Sequence, residues 1–435
     1  MVCIVSAEFD LPVAEHILSN GMKVISVERM DSPVVAFALY YRVGSVDEKP
    51  GKTGLAHFCE HMMFKSTKHL QGESFARLMA TIGGGHSNAN TSFDRTCYHQ
   101  TVAPDRLEFV IRLEAERMAN LCPSPEETMS ELEVVKEELR LNYLDNPQGR
   151  MRFLLHQSAF DVHPYKTITI GKLEDVETFT YDDIMNFYRT YYVPNNAVAV
   201  VVGHFKTQDL MDLMETHFGS IKRNRKVVRS FPEEPIQTNE QHFEIDMPVQ
   251  RSMIWVGYHV PSASHPDSLP LNVLATVLAR GKTSPFGRLA HGADPVAMYV
   301  AAWFRPQLEP GLFSIVGLTL PGISTDTVME KIDEIIDDVI RNGVSEDQLK
   351  TARTQILADD IYQMQSCMGI AKHLGEYEMV SSWRDGINLA DNLAAITPEK
   401  LRQVTEKYLA PANRTVGTAR SENDAVGKKG DILDE

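Results

Sequence analysis

At 435 residues the chain is too long for one ordinary core, so two domains are expected. Its 43% hydrophobic and 23% charged content is that of a globular protein in water, and a formal net charge of −16 argues against a nucleic-acid or anionic-membrane binder and favours basic peptides as partners. No apolar run reaches the ~18 residues of a membrane span.

The opening Met1-Val2-Cys3-Ile4-Val5-Ser6 is short and has no basic residue, so it does not read as a signal peptide. Cytoplasm and periplasm both stay open. Met22 to Val27 and Val34 to Val43 are rich in Val, Ile and Tyr and predict an early hairpin. Next comes His57-Phe58-Cys59-Glu60-His61, an H-x-x-E-H pattern. On a helix, residues four apart lie one above the other, so His57 and His61 can bind one metal ion. Glu60 then hangs beside that ion. A tetrahedral Zn²⁺ with three protein ligands keeps its fourth position for water, and a neighbouring carboxylate can take the proton. Cys59 lies about 160° from His57 on a helical wheel and reads as packing.

The Gly83-Gly84-Gly85 turn leads into a polar strand from Asn88 to Tyr98, by composition a solvated edge. Pro104 to Leu121 and Thr128 to Tyr143 have helical periodicity. In the second of these, Leu132, Val135 and Leu139 make an apolar stripe, which Glu131 and Glu138 flank. Both should be partly buried, and such a carboxylate needs a partner; a metal or a metal-bound His is a good one. Glu127, Glu133 and Glu137 read as a solvated face. His69, His86, His99, His163 and His259 fall on predicted turns or strands without metal spacing and read as surface or hydrogen-bonding groups. The cysteines, Cys3, Cys59, Cys97, Cys122 and Cys367, form no C-x-x-C pair, which argues against a disulfide framework or a Cys-based zinc site.

A repeat appears at an offset of 217 residues. Phe179-Thr180-Tyr181-Asp182-Asp183-Ile184, running to Tyr191, Pro194 and Asn196, matches Ile396-Thr397-Pro398-Glu399-Lys400-Leu401, running to Tyr408, Pro411 and Asn413. Each copy predicts a Thr-capped helix and a Pro/Asn turn into an apolar strand, here Ala197 to Val202. Repeats of this length mean two similar domains. The expected division is 1–222, a basic then proline-containing linker at 223–238, and 239–435. His242 to Asp246 and Ser252 to Val260 mirror the first strand pair, and Thr325 to Asn342 and Glu346 to Met364 are helical. The fold class is α+β: two similar domains, each a mostly antiparallel sheet covered by helices.

The motif's surroundings carry a resemblance. Tyr41-Arg42-Val43-Gly44-Ser45 leads through Lys52-Thr53-Gly54-Leu55-Ala56 into it, and Met62-Met63-Phe64-Lys65-Ser66-Thr67 follows. Gly84 to Thr91, Asp94, Tyr98, Glu114 to Met118, Glu131 to Glu138, His163-Pro164-Tyr165 and Tyr192 to Ala197 continue in order. The chain resembles the pitrilysin-like M16 zinc peptidases, relatives of the mitochondrial processing peptidase with a LuxS/processing-peptidase-like metallohydrolase fold. The resemblance implies one Zn²⁺ per chain held by His57, His61 and Glu138. It counts Glu60, the base, and Glu131, which orients a ligand imidazole, as the catalytic residues. It also implies a chamber between two similar halves, and substrate backbone paired along the strand bearing Asn88, Ala89 and Thr91.

One stretch departs from the family. Active relatives place an Arg and a Tyr about seven residues apart in the C-terminal half. Here the expected Arg falls near His291 or Gly292 and the Tyr on Ala297 or Met298, while Arg288 and Tyr299 stand eleven apart. An intact zinc half beside this altered stretch implies that the missing groups come from a second M16-type subunit, as in the family's heterodimers. The expected activity is therefore a zinc endopeptidase subunit acting on short or unfolded peptides. The alternatives are a homodimeric peptidase and a structural subunit with a vestigial metal site.

Overall fold

A computed structural model describes residues 11–421 apart from 84 and 226, with the backbone alone at 85 and 86. The expectation for Met1 to Ser6 falls outside the described residues, as does Cys3. Two compact units emerge, neither contiguous in the chain. The first takes residues up to Glu138, Thr167–Phe231 and Asp360–Asn388; the second takes Leu139–Lys166, Pro232–Asp359 and residues from Leu389.

The first unit is built on strands β1 (Val13–Ile17), β2 (Lys23–Glu28), β3 (Val35–Tyr41), β4 (Gly85–Thr91), β5 (Thr96–Val102) and β6 (Ala197–Gly203), in the order β1-β2-β6-β3-β5-β4. The second has β7 (Gln241–Ile245), β8 (Met253–Val260), β9 (Ala297–Phe304), β10 (Gly311–Thr319) and β11 (Arg414–Ala419), in the order β7-β11-β8-β10-β9. Each sheet is antiparallel except for one parallel pair, β2 with β6 and β7 with β11. The expected two-domain α+β class is the observed one.

The early hairpin is not formed. β6 lies between β2 and β3, parallel to the first and antiparallel to the second. β11 separates β7 from β8 in the same way. Composition gives the reason. All seven residues of β6, Ala-Val-Ala-Val-Val-Val-Gly, are buried, and a strand apolar on both faces belongs in the middle of a sheet. The link from Arg29 to Val34 contains no glycine to make a tight turn.

The repeat is real at the level of single bonds. Thr180 caps the Tyr181–Tyr191 helix and Thr397 caps the Pro398–Tyr408 helix, each through its side-chain oxygen. After each helix comes a Pro/Asn turn. Asn196 Nδ2 donates to the carbonyls of Tyr191 at 2.9 Å and Arg42 at 3.2 Å. Asn413 Nδ2 donates to those of Tyr408 at 2.7 Å and His259 at 2.8 Å. The asparagine thus ties a helix end to the neighbouring strand end in both units.

In the first unit the Cys367–Val380 helix packs on β3 and β6 over Ile25, Ala36, Ala38, Tyr40, Val198 and Val200. The Leu107–Asn120 and Thr207–Phe218 helices lie together, the first against β3 and the second against β2. In the second unit the Pro147–Ala159 helix lies on β7, β8 and β11. The Thr325–Asn342 helix packs against β8 and β10. The expected Thr128 to Tyr143 helix is α-helical over Pro125–Leu139 and continues as a π-helical turn over Arg140–Leu144. No helix among the described residues is long and apolar enough to cross a membrane.

Candidate metal centre

His57, Glu60 and His61 lie on the Leu55–Met62 helix. Leu55, Phe58, Cys59 and Met62 have the i, i+3, i+4, i+7 spacing of a buried face, and all are buried. Phe58 stacks on Phe179 with ring centroids 5.8 Å apart. That anchoring leaves the imidazoles on the opposite side. The chain enters the helix through Gly54, whose φ is +96°. A Cβ there would stand 2.4 Å from the Ile170 carbonyl, and one on Gly171 would stand 2.2 Å from that of Thr53. Two glycines therefore let two backbone segments touch.

The acidic helix Pro125–Leu139 supplies the remaining groups. Leu132, Val135 and Leu139 are buried, and Glu131 and Glu138 flank them with side chains 12% and 35% exposed. Glu133 and Glu137 are exposed. Glu127 departs from the solvated face expected for it. Its Oε2 accepts from the Ser124 amide at 2.7 Å, and its own amide donates to Ser124 Oγ at 3.1 Å. The pair forms a capping box at the helix start.

Among the described residues, His57, His61 and Glu138 offer one ligand atom each within 4.8 Å of one another. Glu138 Oε2 is 3.8 Å from His57 Nε2 and 3.5 Å from His61 Nε2. Ligand atoms of a tetrahedral zinc stand roughly 3.3–3.5 Å apart, given bonds of about 2.0–2.2 Å. Two imidazoles and a carboxylate are also the donor types that zinc takes in hydrolytic sites. The residues fit that ion. His61 Nδ1 meets Glu131 Oε1 at 2.8 Å, and Lys65 Nζ holds Glu131 Oε2 at 2.6 Å. His57 Nδ1 is buried with no hydrogen-bond partner.

The electrostatics agree with a cation site. Burial, then repulsion from His61, brings the His57 pKa down to about 4, so its ring is neutral. Burial also disfavours charge on His61, but its bonds to Glu131 and Glu138 outweigh this and lift its pKa to about 9. Both carboxyls are held below the usual range, chiefly by the bond to His61. Glu60 is 9% exposed, and burial raises its pKa against the pull of the Thr91 hydroxyl. That hydroxyl donates to Glu60 Oε2 at 2.5 Å.

Thr91 lies on β4, which pairs with β5 and, among the described residues, is an edge strand of the sheet. Asn88 and Ala89 are on the same strand, with Asn88 exposed and Ala89 partly so. Arg95 Nη1 bonds the Asn90 side chain, and its Nε donates to Glu376 at 3.0 Å. Arg288 lies on the Arg288–His291 helix, where Nε donates to the Thr283 carbonyl at 3.2 Å. Tyr299 lies on β9 and is 38% exposed. His69 is exposed and pairs with Glu116, whereas His99 and His163 are buried. A cavity of about 490 Å³ in the second unit, lined by His242 and Glu330 among others, contains none of the centre's residues. Donor chemistry, not volume, marks the site. Lys65, four residues beyond His61 and just past the helix end, carries no metal-site signal of its own in the sequence.

The family model described as insulinase (peptidase family M16) matches residues 23–172, and that described as peptidase M16 inactive domain matches 178–356. The chain belongs to the pitrilysin-like M16 peptidase family. The first model covers the metal-centre residues; the second covers most of the half without the motif. The zinc protease PqqE of Helicobacter pylori is 29% identical over 376 residues, covering 85% of this chain and 84% of that one. The crystal structure of a protease from Helicobacter pylori matches with a TM-score of 0.90 at 27% identity, covering 94% of this chain and 99% of the other. The periplasmic protease PqqL from Escherichia coli shares the fold at 19% identity and a TM-score of 0.77; the match covers 96% of this chain and 48% of PqqL.

Proposed function

We propose that this M16 chain is a zinc-dependent endopeptidase subunit for short or unfolded peptides. His57, His61 and Glu138 hold one Zn²⁺ per chain. The observation that carries the reading is the convergence of His57 Nε2, His61 Nε2 and Glu138 Oε2 beside a buried Glu60. Bound there, zinc would supply Lewis acidity to a water and to the scissile carbonyl.

The chain's own groups do the rest. Thr91 occupies Glu60 Oε2, which leaves Oε1 to take a proton from the attacking water and deliver it to the leaving amine. The raised pKa of Glu60 suits a group that must hold that proton between the two transfers. Glu131, braced by Lys65, accepts a hydrogen bond from His61 Nδ1–H and so turns Nε2 toward the shared point. The free side of β4 accepts an extended peptide by main-chain pairing, with Asn88, Ala89 and Thr91 along it. Pairing of that kind demands an extended backbone, hence short or unfolded substrates.

In this reading a second M16-type subunit supplies the Arg/Tyr pair and closes a chamber over the zinc. Two facts support it: the altered spacing of Arg288 and Tyr299, and the likeness of this chain to the first half of PqqL, so that a PqqL chain contains about twice its length. The test is metal content by mass spectrometry together with hydrolysis of a quenched fluorescent peptide. About one zinc per chain, with activity removed by chelation and restored by zinc, is expected. A folded chain that takes up no zinc overturns the reading.

A further inference from the structure

We propose that Glu48 is a positioning residue for the metal centre, locking the N-terminus of the motif helix so that His57, Glu60 and His61 keep a fixed heading. The inference rests on the zinc-peptidase reading above.

Gly54 brings no side chain to the start of the motif helix. It is the N-cap of the Leu55–Met62 helix, and the close approach of Ile170 requires glycine there. Glycine has no side-chain oxygen, so the cap makes no side-chain hydrogen bond. The first amides of a helix have no partner within it and need one from outside. Glu48 provides it from six residues upstream. Its Oε2 accepts from the Gly54 amide at 2.8 Å, and its Oε1 accepts from the Ala56 amide at 2.7 Å. Both oxygens of one side chain thus accept from amides at the positive pole of the helix dipole. Ala56 is the residue next to His57, so the bond fixes backbone one position from an imidazole.

Glu48 is itself held. Arg229 forks onto the neighbouring Asp47 with bonds of 2.9 and 2.6 Å, and the same guanidinium donates to the Asp94 carbonyl at 2.8 Å. Asp47 in turn accepts from the Gly44 amide at 2.9 Å. The turn carrying Glu48 is therefore pinned on both sides. The motif helix spans only eight residues, about 12 Å at 1.5 Å per residue. So short a helix has little stability alone and depends on its buried face and on the bonds at its ends. Metal and proton-transfer sites tolerate errors of only about 0.5 Å or 10–20°. A loosened N-terminus exceeds that readily.

The test uses the full zinc-loaded chain, with Glu48→Gln, Glu48→Asp and Glu48→Ala. Glu48→Gln is decisive, because it keeps the size but turns one acceptor into a donor facing an amide. Zinc affinity is measured by chelator competition, the visible spectrum with Co²⁺ in place of zinc, and kcat and KM on the quenched peptide. We expect Glu48→Gln to weaken zinc binding at least about 10-fold, to alter the cobalt bands, and to lower kcat about 10-fold or more with KM nearly unchanged. Glu48→Asp should recover part of each. Ser324→Ala removes the cap that receives the Thr327 amide in the second unit. It serves as a control that loses stability without changing the cobalt spectrum. A folded Glu48→Gln protein with wild-type zinc affinity and cobalt spectrum overturns the proposal and leaves the metal centre standing. A wild-type chain that binds no zinc overturns both. Should Glu48→Ala fail to fold, Glu48→Gln alone decides.

Discussion

The Thr91 hydroxyl and the Glu60 carboxylate meet at 2.5 Å, joining the edge strand β4 to the motif helix. One bond therefore links the strand proposed to receive the peptide with the proposed base. Thr91→Val keeps the shape and removes the donor. It should lower kcat by about 10-fold with the zinc content intact. Glu60→Gln should keep the zinc and cost about 10²–10⁴ in kcat, the usual worth of a positioned base. Zinc-loaded Glu60→Gln protein that still cleaves the peptide at the wild-type rate removes Glu60 from the mechanism.

The acidic helix separates its carboxylates by face, and each face has its own consequence. Glu138→Gln should lose metal, while Glu137→Gln, at an exposed position, should keep it. Glu131→Gln should fall between, at about 10–100-fold weaker binding, because it orients His61 without touching the ion. Equilibrium dialysis against zinc buffers measures all three. A metal-free Glu137→Gln beside a zinc-loaded Glu138→Gln would reverse the ligand assignment.

The isolated, zinc-replete chain should be a weak peptidase. A second M16-type chain that lacks H-x-x-E-H and carries the Arg/Tyr pair should raise its rate by about 10²–10³, the worth of an oxyanion donor. Hydrolysis rates with and without candidate partners, together with solution mass, measure this. Full activity from a homogeneous homodimer excludes the heterodimer, and Arg288→Ala and Tyr299→Phe in that homodimer would then show whether these residues replace the pair.

Acid should destabilise the second unit through His156 and His163. Burial, then the nearby Arg152 charge, lowers the His156 pKa from 6.5 to about 4 against the pull of the Tyr165 carbonyl. Burial lowers that of His163 to about 4 as well, with Glu234 opposing. Between those values the unfolded chain binds more protons than the folded one, so stability falls as pH drops from 6.5 toward 4. The two together are worth on the order of a few kcal/mol. Urea melts of the chelator-treated protein from pH 7.5 to 4 should show this slope, and His156→Asn/His163→Asn should flatten it. An unchanged slope in the double variant assigns the acid sensitivity elsewhere.

Local pattern carried much of this molecule. Helical spacing placed His57, Glu60 and His61 on one short helix and singled out Glu131 and Glu138 from a helix crowded with acids. The repeat announced two similar sheets. Pairings distant in sequence stayed hidden. Nothing near Met22 to Val43 says that β6, more than 150 residues later, will part those strands. The function of Glu127 was within reach, because Ser124 and Glu127 have capping-box spacing. The bond of Thr91 to Glu60 was not, since a hydroxyl on a polar strand gives no sign of the carboxylate it will meet. The membership of Asp360–Asn388 in the first unit was likewise beyond local pattern, because packing and not periodicity decides it.

The Cys367–Val380 helix, lying over Tyr40 and Val200, has a consequence for biosynthesis. The first sheet cannot cover one apolar face until the ribosome has made most of the chain. Until then Ile25, Ala38 and Val200 face water or a chaperone. A fragment stopped after residue 222 should accordingly clump or be degraded, and adding residues 360–388 in trans should rescue it.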